Sequence, residues 1–334
     1  MRAHYHQKTF HFKNPSGTSR GILTEKHAWF IEVWDEEAPT IIGTGECSII
    51  PGLSPDFTDF ESYELKVAQV CEHLTEDLTE WPSIKFGVET ALLDLKNGGN
   101  GVIFDNSFSR GEQEILINGL IWMGERSFML SQIEEKLALG FSTIKMKVGA
   151  IDFENELELL RMIRSHSPSI TLRVDANGAF KTDEALAKLE SLHKIGIHSI
   201  EQPIKAGQWD IMAKLCLISP LSIALDEELI GINAPEEKIA LLDKIQPSFI
   251  ILKPSLHGGI SGTREWIKLA EERNIGWWMT SALESNIGLN AICQLAAEYQ
   301  NELPQGLGTG SLYTDNIPSN LLVKNGCISL SNDI

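Results

Sequence analysis

The spacing of apolar and polar positions changes character near Glu114. Before that point strands come first and helices after. Thr9–Lys13, Ile22–Asp35 and Ile41–Ile50 read as strands, most clearly over Ala28-Trp-Phe-Ile-Glu-Val-Trp34, which is rich in β-formers. Helical spacing follows over Tyr63–Asp77 and Ser83–Asn97. Grouped strands followed by helices predict a separate α+β domain, 1–112. Two glycine-containing connections lie inside it, Asn14–Gly21 and Gly43–Pro55. The second is long for a turn, and long ordered loops carry function more often than tight ones.

Beyond Glu114 the pattern alternates. Apolar strand candidates fall at Ile115–Met123, Thr143–Val148, Ile170–Asp175, His198–Glu201, Ser222–Asp226, Phe249–Lys253 and Ile275–Thr280. Between them lie amphipathic helices such as Glu154–His166, Asp183–Ile195, Gln208–Ile218, Glu236–Ile245, Thr263–Arg273 and Asn286–Tyr299. Strands apolar on both faces are covered by helices and therefore parallel. Seven or eight such units in about 200 residues have the size of a (β/α)8 barrel. A doubly wound sheet is the alternative, but no G-x-G-x-x-G follows the first strand. The barrel is expected over 113–309. The tail, 310–334, carries turn chemistry (Asp315-Asn-Ile-Pro-Ser) and a short last strand, and is expected to return to the first domain.

Composition narrows the class. Of 334 residues 43% are hydrophobic and 22% charged, as in an ordinary soluble protein. No apolar run approaches the ~18 residues of a membrane span, and the N-terminus lacks the apolar core of a secretory signal, so the expected location is cytoplasmic. Five cysteines (Cys47, Cys71, Cys216, Cys293, Cys327) are odd in number and form no C-x-x-C, which suits a reducing compartment and disfavours a thiolate zinc site. The net charge of −18 argues against nucleic acid or an anionic membrane as partner, though not against a small anionic substrate. His4 and His6 read as surface residues of a polar strand. Oligomeric state is not encoded in any of these patterns.

The chemistry lies at the strand ends. In Thr143–Val148 the side-chain period of two sets Lys145 and Lys147 on one face. Later strands end in Arg173-Val-Asp175-Ala-Asn177, Ser199-Ile-Glu201-Gln-Pro203, Ala224-Leu-Asp226-Glu-Glu228, Ile251-Leu-Lys253-Pro and Thr280-Ser281. Lys147, Asp175, Glu201, Asp226, Lys253 and Ser281 are successively 28, 26, 25, 27 and 28 residues apart, one βα repeat each time. In a barrel that spacing gathers them at the C-terminal mouth, where active sites of this architecture lie. A structural ion-pair cluster is the plainer reading, but one ionisable residue per strand at repeat spacing disfavours it.

Three adjacent carboxylates, Asp175, Glu201 and Asp226, repel unless compensated, and an all-oxygen ligand set favours Mg²⁺ over zinc. Lys147 and Lys253 then face each other across the pocket. A carboxylate substrate held at such a cation is acidified at its α-carbon. A lysine acts as general base only when neutral, a form that neighbouring positive charge favours. The expected reaction class is proton abstraction α to a carboxylate.

With these residues in hand, K-x-K (Lys145, Lys147), D-x-N (Asp175, Asn177), E-Q-P (Glu201–Pro203), L-D-E (Leu225–Glu227) and L-K-P (Leu252–Pro254) resemble the muconate-lactonizing subgroup of the enolase superfamily. The resemblance implies a modified (β/α)7β TIM-type barrel with an α+β capping domain, a lysine base and Mg²⁺. Ser281-Ala-Leu-Glu-Ser-Asn-Ile-Gly-Leu289 further resembles the o-succinylbenzoate synthase family of that subgroup. It lacks the acidic D-x-D that dipeptide epimerases tend to carry there. This implies dehydration of 2-succinyl-6-hydroxy-2,4-cyclohexadiene-1-carboxylate to 2-succinylbenzoate, a step of menaquinone biosynthesis. Lys147 would be base and then acid, Lys253 a cation on the opposite face, Lys145 a tuner of Lys147, and Asn177 a support for the metal ligands. Ser281, Ser285 and the start of the following helix would bind the succinyl tail. The two glycine-containing loops would close over the substrate, with Arg20 near its charged groups. A racemase or epimerase of N-acylated amino acids or dipeptides, using both lysines as bases, is the alternative, and a non-catalytic metal-binding homologue a third reading.

Overall fold

The computed structural model describes residues 1–18, 21–122, 124–149 and 151–331. The N-terminal stretch forms an antiparallel meander of β1 (Arg2–Thr18), β2 (Gly21–Asp35) and β3 (Ala38–Ser48). The run of β2 is apolar on both sides because both sides are covered. Trp29, Ile31 and Val33 pack with Tyr63, Val67 and Ala91 of the helices α1 (Phe60–Glu72) and α2 (Pro82–Lys96). Ala28 and Phe30 face the other way, onto Leu256 and Ala282 of the barrel and Tyr313 of the tail. The sheet is thus a middle layer between its own helices and the barrel mouth. β1 runs further than Thr9–Lys13 because cross-strand pairing with β2, rather than apolar alternation, carries it.

The barrel begins after β4 (Ile115–Leu116). Seven strands lie side by side: β5 (Gly119–Ile121), β6 (Thr143–Lys147), β7 (Thr171–Asp175), β8 (Ser199–Glu201), β9 (Ser222–Leu225), β10 (Phe249–Leu252) and β11 (Gly276–Met279). Every recorded pairing among them is parallel. Closure comes from a minimal eighth strand: Gln305 bridges Ile117 and Gly306 bridges Thr280, both in parallel. Its brevity explains why no apolar run announces it. The outer helices are α3 (Arg126–Ala138), α4 (Phe153–His166), α5 (Ala185–Lys194), α6 (Trp209–Ile218), α7 (Pro235–Ile245), α8 (Gly259–Glu271) and α9 (Asn286–Ala297). α3 escaped the periodicity reading because it buries only Met129, Gln132 and Ile133. The main apolar core lies between the strands and these helices.

The tail divides its contacts. Lys13 N donates to Leu312 O at 2.8 Å and Thr314 N to His11 O at 2.9 Å, so this stretch joins β1. The final hairpin, β12 (Leu321–Lys324) and β13 (Cys327–Leu330), instead adds to β4. No helix among the described residues is long and apolar enough to cross a membrane.

β3 lies against α2 backbone to backbone. A Cβ on Gly45 would stand 1.8 Å from Gly87 O, and one on Gly43 2.1 Å from Ala91 O. Neither neighbour is a side chain that can swing away. Gly45→Ala should therefore cost the first domain about 1–3 kcal/mol of stability through overpacking. Chemical denaturation would measure it, and an unchanged midpoint would contradict the close approach.

Candidate active site

Register places the charged strand ends. Lys147 pairs with Asp175 and Asp175 with Glu201, so these three stand at one level. Glu201 pairs with Ala224, which leaves Asp226 two residues further toward the mouth. This is the stagger of tilted barrel strands. One ligand oxygen from each of Asp175, Glu201 and Asp226 can be chosen so that all lie within 4.8 Å of one another, and all three residues are buried. The lysines neutralise them. Lys145 Nζ donates to Glu201 Oε2 at 2.9 Å and to Asp175 Oδ2 at 3.3 Å. Lys147 Nζ donates to the same Asp175 oxygen at 2.9 Å and to Asn177 Oδ1 at 2.6 Å. On the far side Lys253 Nζ straddles Asp226, 2.7 and 2.5 Å from its two oxygens.

The titration behaviour follows from this crowding. Burial disfavours the Asp175 carboxylate, but Lys147 and Lys145 overcome it and hold its pKa far below the usual carboxylate range. Burial likewise opposes the charges on Lys145 and Lys253; Glu201 and Asp175 outweigh it for the first and Asp226 for the second, so both pKa values rise. Glu201 is pushed up to about 7 by burial and by its neighbours Asp175 and Asp226, with Lys145 opposing. Its Oε1 is buried without a hydrogen-bond partner among the described residues. An unshared carboxylate oxygen in an all-oxygen cluster fits a hard divalent cation held by Asp175, Glu201 and Asp226.

Supporting groups fix these side chains. Asn177 donates from Nδ2 to Glu227 at 3.0 Å, so it holds Lys147 from one end and the fifth-strand loop from the other. His257 Nδ1 accepts the Lys253 backbone N–H at 2.9 Å, and burial pushes the ring down to about 3, so it stays neutral. One rung below Asp175, the Arg173 guanidinium lies 3.9 Å over the Trp278 ring and donates to Pro304 O. Periodicity alone assigns His257 no role, since its task depends on a loop folding back on itself.

The cluster opens into a cavity walled by both domains. Leu23, Ile50 and Leu53 come from the first domain and Leu120, Trp122 and Leu283 from the barrel. Gly21 ends the first glycine-containing connection, and Ile50, Pro51 and Leu53 belong to the second, so both reach the cavity. Polar atoms also face it: Thr280 Oγ1, Thr309 Oγ1 and Asn118 Oδ1 are buried and lack hydrogen-bond partners among the described residues. Thr280 ends the seventh strand, as its sequence pattern indicates, whereas Asn118 and Thr309 did not stand out in the sequence because they flank the inconspicuous first and eighth strands.

The seventh-strand loop departs from expectation. Ser281 lines the cavity, but its hydroxyl donates to Glu284 Oε2 at 2.6 Å. Ser285 does not line it. It is the N-cap of α9, and its hydroxyl donates to Glu46 of β3 at 2.5 Å. Glu46 also accepts the backbone N–H groups of Ser285 (2.8 Å) and Gly288 (2.9 Å). The helix start expected to hold a substrate carboxylate is therefore filled by a carboxylate of the chain itself. Arg20 lies outside the described residues. Beside this loop is Lys26, which the sequence reading passed over. Burial draws its pKa down to about 8, with Glu284 and Glu46 opposing.

A family profile described as enolase C-terminal domain-like matches residues 129–333. The chain is 46% identical to the o-succinylbenzoate synthase of Desulfotalea psychrophila, with 99% of each sequence covered. Among solved structures, MenC from Desulfotalea psychrophila superposes with a TM-score of 0.85 at 43% identity, covering 99% of both chains. The dipeptide epimerase of Enterococcus faecalis, solved with Mg and the dipeptide L-Leu-L-Tyr, has a TM-score of 0.84 at 19% identity over 99% of this chain and 96% of its own. That last likeness is one of fold.

Since Ser285 serves the helix and the domain contact, Ser285→Ala should lower the unfolding free energy by about 0.5–2 kcal/mol. Urea titration would read this. An unchanged stability would return the hydroxyl to candidacy as a substrate contact.

Proposed function

The chain belongs to the o-succinylbenzoate synthase family of the enolase superfamily, and from that premise we propose a mechanism in which Lys147 moves the proton. The reaction is dehydration of 2-succinyl-6-hydroxy-2,4-cyclohexadiene-1-carboxylate to 2-succinylbenzoate, which makes the enzyme a carbon–oxygen lyase. The observation that carries the mechanism is the disposition of two lysines on opposite sides of one buried acidic cluster, at the floor of an apolar-walled cavity.

Asp175, Glu201 and Asp226 are the residues that would hold Mg²⁺. When bound, the ion supplies the charge these carboxylates require and polarises the ring carboxylate of the substrate, acidifying the adjacent C–H. Lys147, in its neutral form, takes that proton from the α-carbon, and the electron pair moves into the carboxylate as an enediolate. Lys253 keeps its proton and lays a positive charge on the opposite face, where it stabilises the developing anion. Lys147 then returns the proton to the departing hydroxyl on its own face. The C–O bond breaks, water leaves, and the enediolate electrons complete an aromatic ring. Lys145 holds Glu201 and Asp175 in place and sets positive charge beside Lys147. The hydrocarbon ring fits the wall of Ile50, Leu120, Trp122 and Leu283. With the α9 start filled by Glu46, the succinyl tail is assigned to Thr280, Thr309 and Asn118, whose polar atoms are otherwise unpaired among the described residues.

Epimerisation of dipeptides is the weaker reading. It calls for carboxylates facing a substrate ammonium, whereas Glu284 is buried and tied to Ser255 and Ser281. Racemisation of N-acylated amino acids remains the competing activity on this scaffold.

Lys147→Ala should lower turnover to 2-succinylbenzoate by about 10²–10⁴-fold, with Mg²⁺ binding by calorimetry retained. Dialysis against EDTA should abolish turnover, and MgCl₂ should restore it. Substantial turnover by the alanine variant, or by metal-free protein, would overturn the mechanism. Faster racemisation of N-succinyl amino acids than dehydration by the native chain would overturn the assigned main activity.

A further inference from the structure

Lys26 lies on β2 and is 3% exposed. Its ammonium donates to two backbone carbonyls, Ile49 O at 2.7 Å and Ala282 O at 3.1 Å. These carbonyls belong to different domains, and each adjoins the cavity: Ile50 follows the first, while Ala282 itself lines the wall. Two fully buried carboxylates, Glu284 and Glu46, act on the same ammonium. Glu46 is already satisfied by the start of α9. Glu284 accepts from Ser281 Oγ at 2.6 Å and from Ser255 Oγ at 2.5 Å. Ser255 stands two residues after Lys253.

We propose that Lys26 is a positioning residue for substrate binding: it clamps the 49–53 loop of the first domain to the seventh-strand loop of the barrel, and so sets the width of the cavity. Three further observations support a positional role over simple cohesion. Leu283, next to the clamped carbonyl, has φ of +64°, a backbone conformation costly for a leucine. It is held there by Ser281 Oγ, which accepts its N–H at 2.9 Å, and by Tyr313, whose hydroxyl donates to its carbonyl at 2.6 Å. The side chain so constrained is itself part of the cavity wall. A buried ammonium is also an expensive way to join two domains that already share an apolar interface of Phe30, Leu256 and Ala282. What it adds is direction, since its donors fix two carbonyls at hydrogen-bonding distance. Glu284 carries the same constraint on to Ser255 and the end of β10. Lys253 and the acidic cluster are anchored separately, by His257 and by one another. Loss of Lys26 should therefore loosen the fit of substrate more than it disturbs the reacting groups.

This inference rests on the dehydration reading. Lys26→Met should lower kcat/KM by about 10- to 100-fold, mostly through KM. Mg²⁺ binding by calorimetry should stay as in the native chain. Lys26→Met also strands Glu284 as a buried charge, so its melting temperature should fall. The double variant Lys26→Met/Glu284→Gln removes that charge and should recover much of the melting temperature while KM stays raised, because the bridge between carbonyls is still missing. Lys26→Arg, which keeps charge and donors, should recover part of KM. A native KM in Lys26→Met, or a KM that recovers together with the melting temperature in the double variant, would overturn the proposal and leave the dehydration reading standing. A native chain that forms no 2-succinylbenzoate would overturn both.

Discussion

Three carboxylates packed into the mouth of a barrel are the constraint to which the rest of the molecule answers. Asp175, Glu201 and Asp226 are buried and mutually repelling, and leaving them so would cost several kcal/mol per charge. Lys145, Lys147 and Lys253 bring the formal sum of the cluster to zero. That balance has a chemical reading. A divalent cation adds two positive charges, and the substrate of this family carries two carboxylates. The two additions cancel, so loading with cation and substrate would leave the formal balance of the cluster unchanged, which suits a cavity whose remaining wall is largely hydrocarbon.

The first domain is fastened to the barrel by the same kind of interaction used in reverse. Its carboxylates reach helix starts of the barrel: Glu46 at α9, and Glu89 of α2 at α8, where it accepts from Ile260 N at 2.5 Å and Ser261 N at 3.3 Å. Helix N-termini offer unpaired N–H groups and the positive end of the macrodipole, so an acidic side chain from another domain is a fitting cap. Substrate enclosure and domain docking therefore depend on one surface. The S-x-x-E-S segment of the seventh-strand loop faces the cavity with Ser281, the barrel's own sixth-strand loop with Glu284, and the docked domain with Ser285.

What could be read from the chain follows from the range of the interactions involved. Lys147, Asp175, Glu201, Asp226 and Lys253 were legible because each ends a strand, and a repeat of strand and helix converts sequence spacing into a ring of positions. The cap's strands and most barrel helices were legible for a similar local reason. Ser285 was misplaced because its fate depends on Glu46, 239 residues away, which nothing local announces. Thr309 and Asn118 were invisible because the strands they flank are only two or three residues long. α3 hid behind a weak apolar stripe. Lys26 drew no assignment from the sequence, because only the packing of β2 between two layers turns it inward.

The two borrowed caps bear on how the chain comes to be folded. The contacts of Glu89 with α8 and of Glu46 with α9 join residues 171 to 242 positions apart. During synthesis the N-terminal domain leaves the ribosome first and waits, with two acidic groups exposed, for the last quarter of the barrel to arrive. The final helices in turn cannot satisfy all of their leading N–H groups until that older domain is in place. Contacts of such long range make for slow consolidation. Truncated chains that stop before α9 would then present an uncovered sheet face and unpaired glutamates, a surface for chaperones to hold rather than a partly working enzyme.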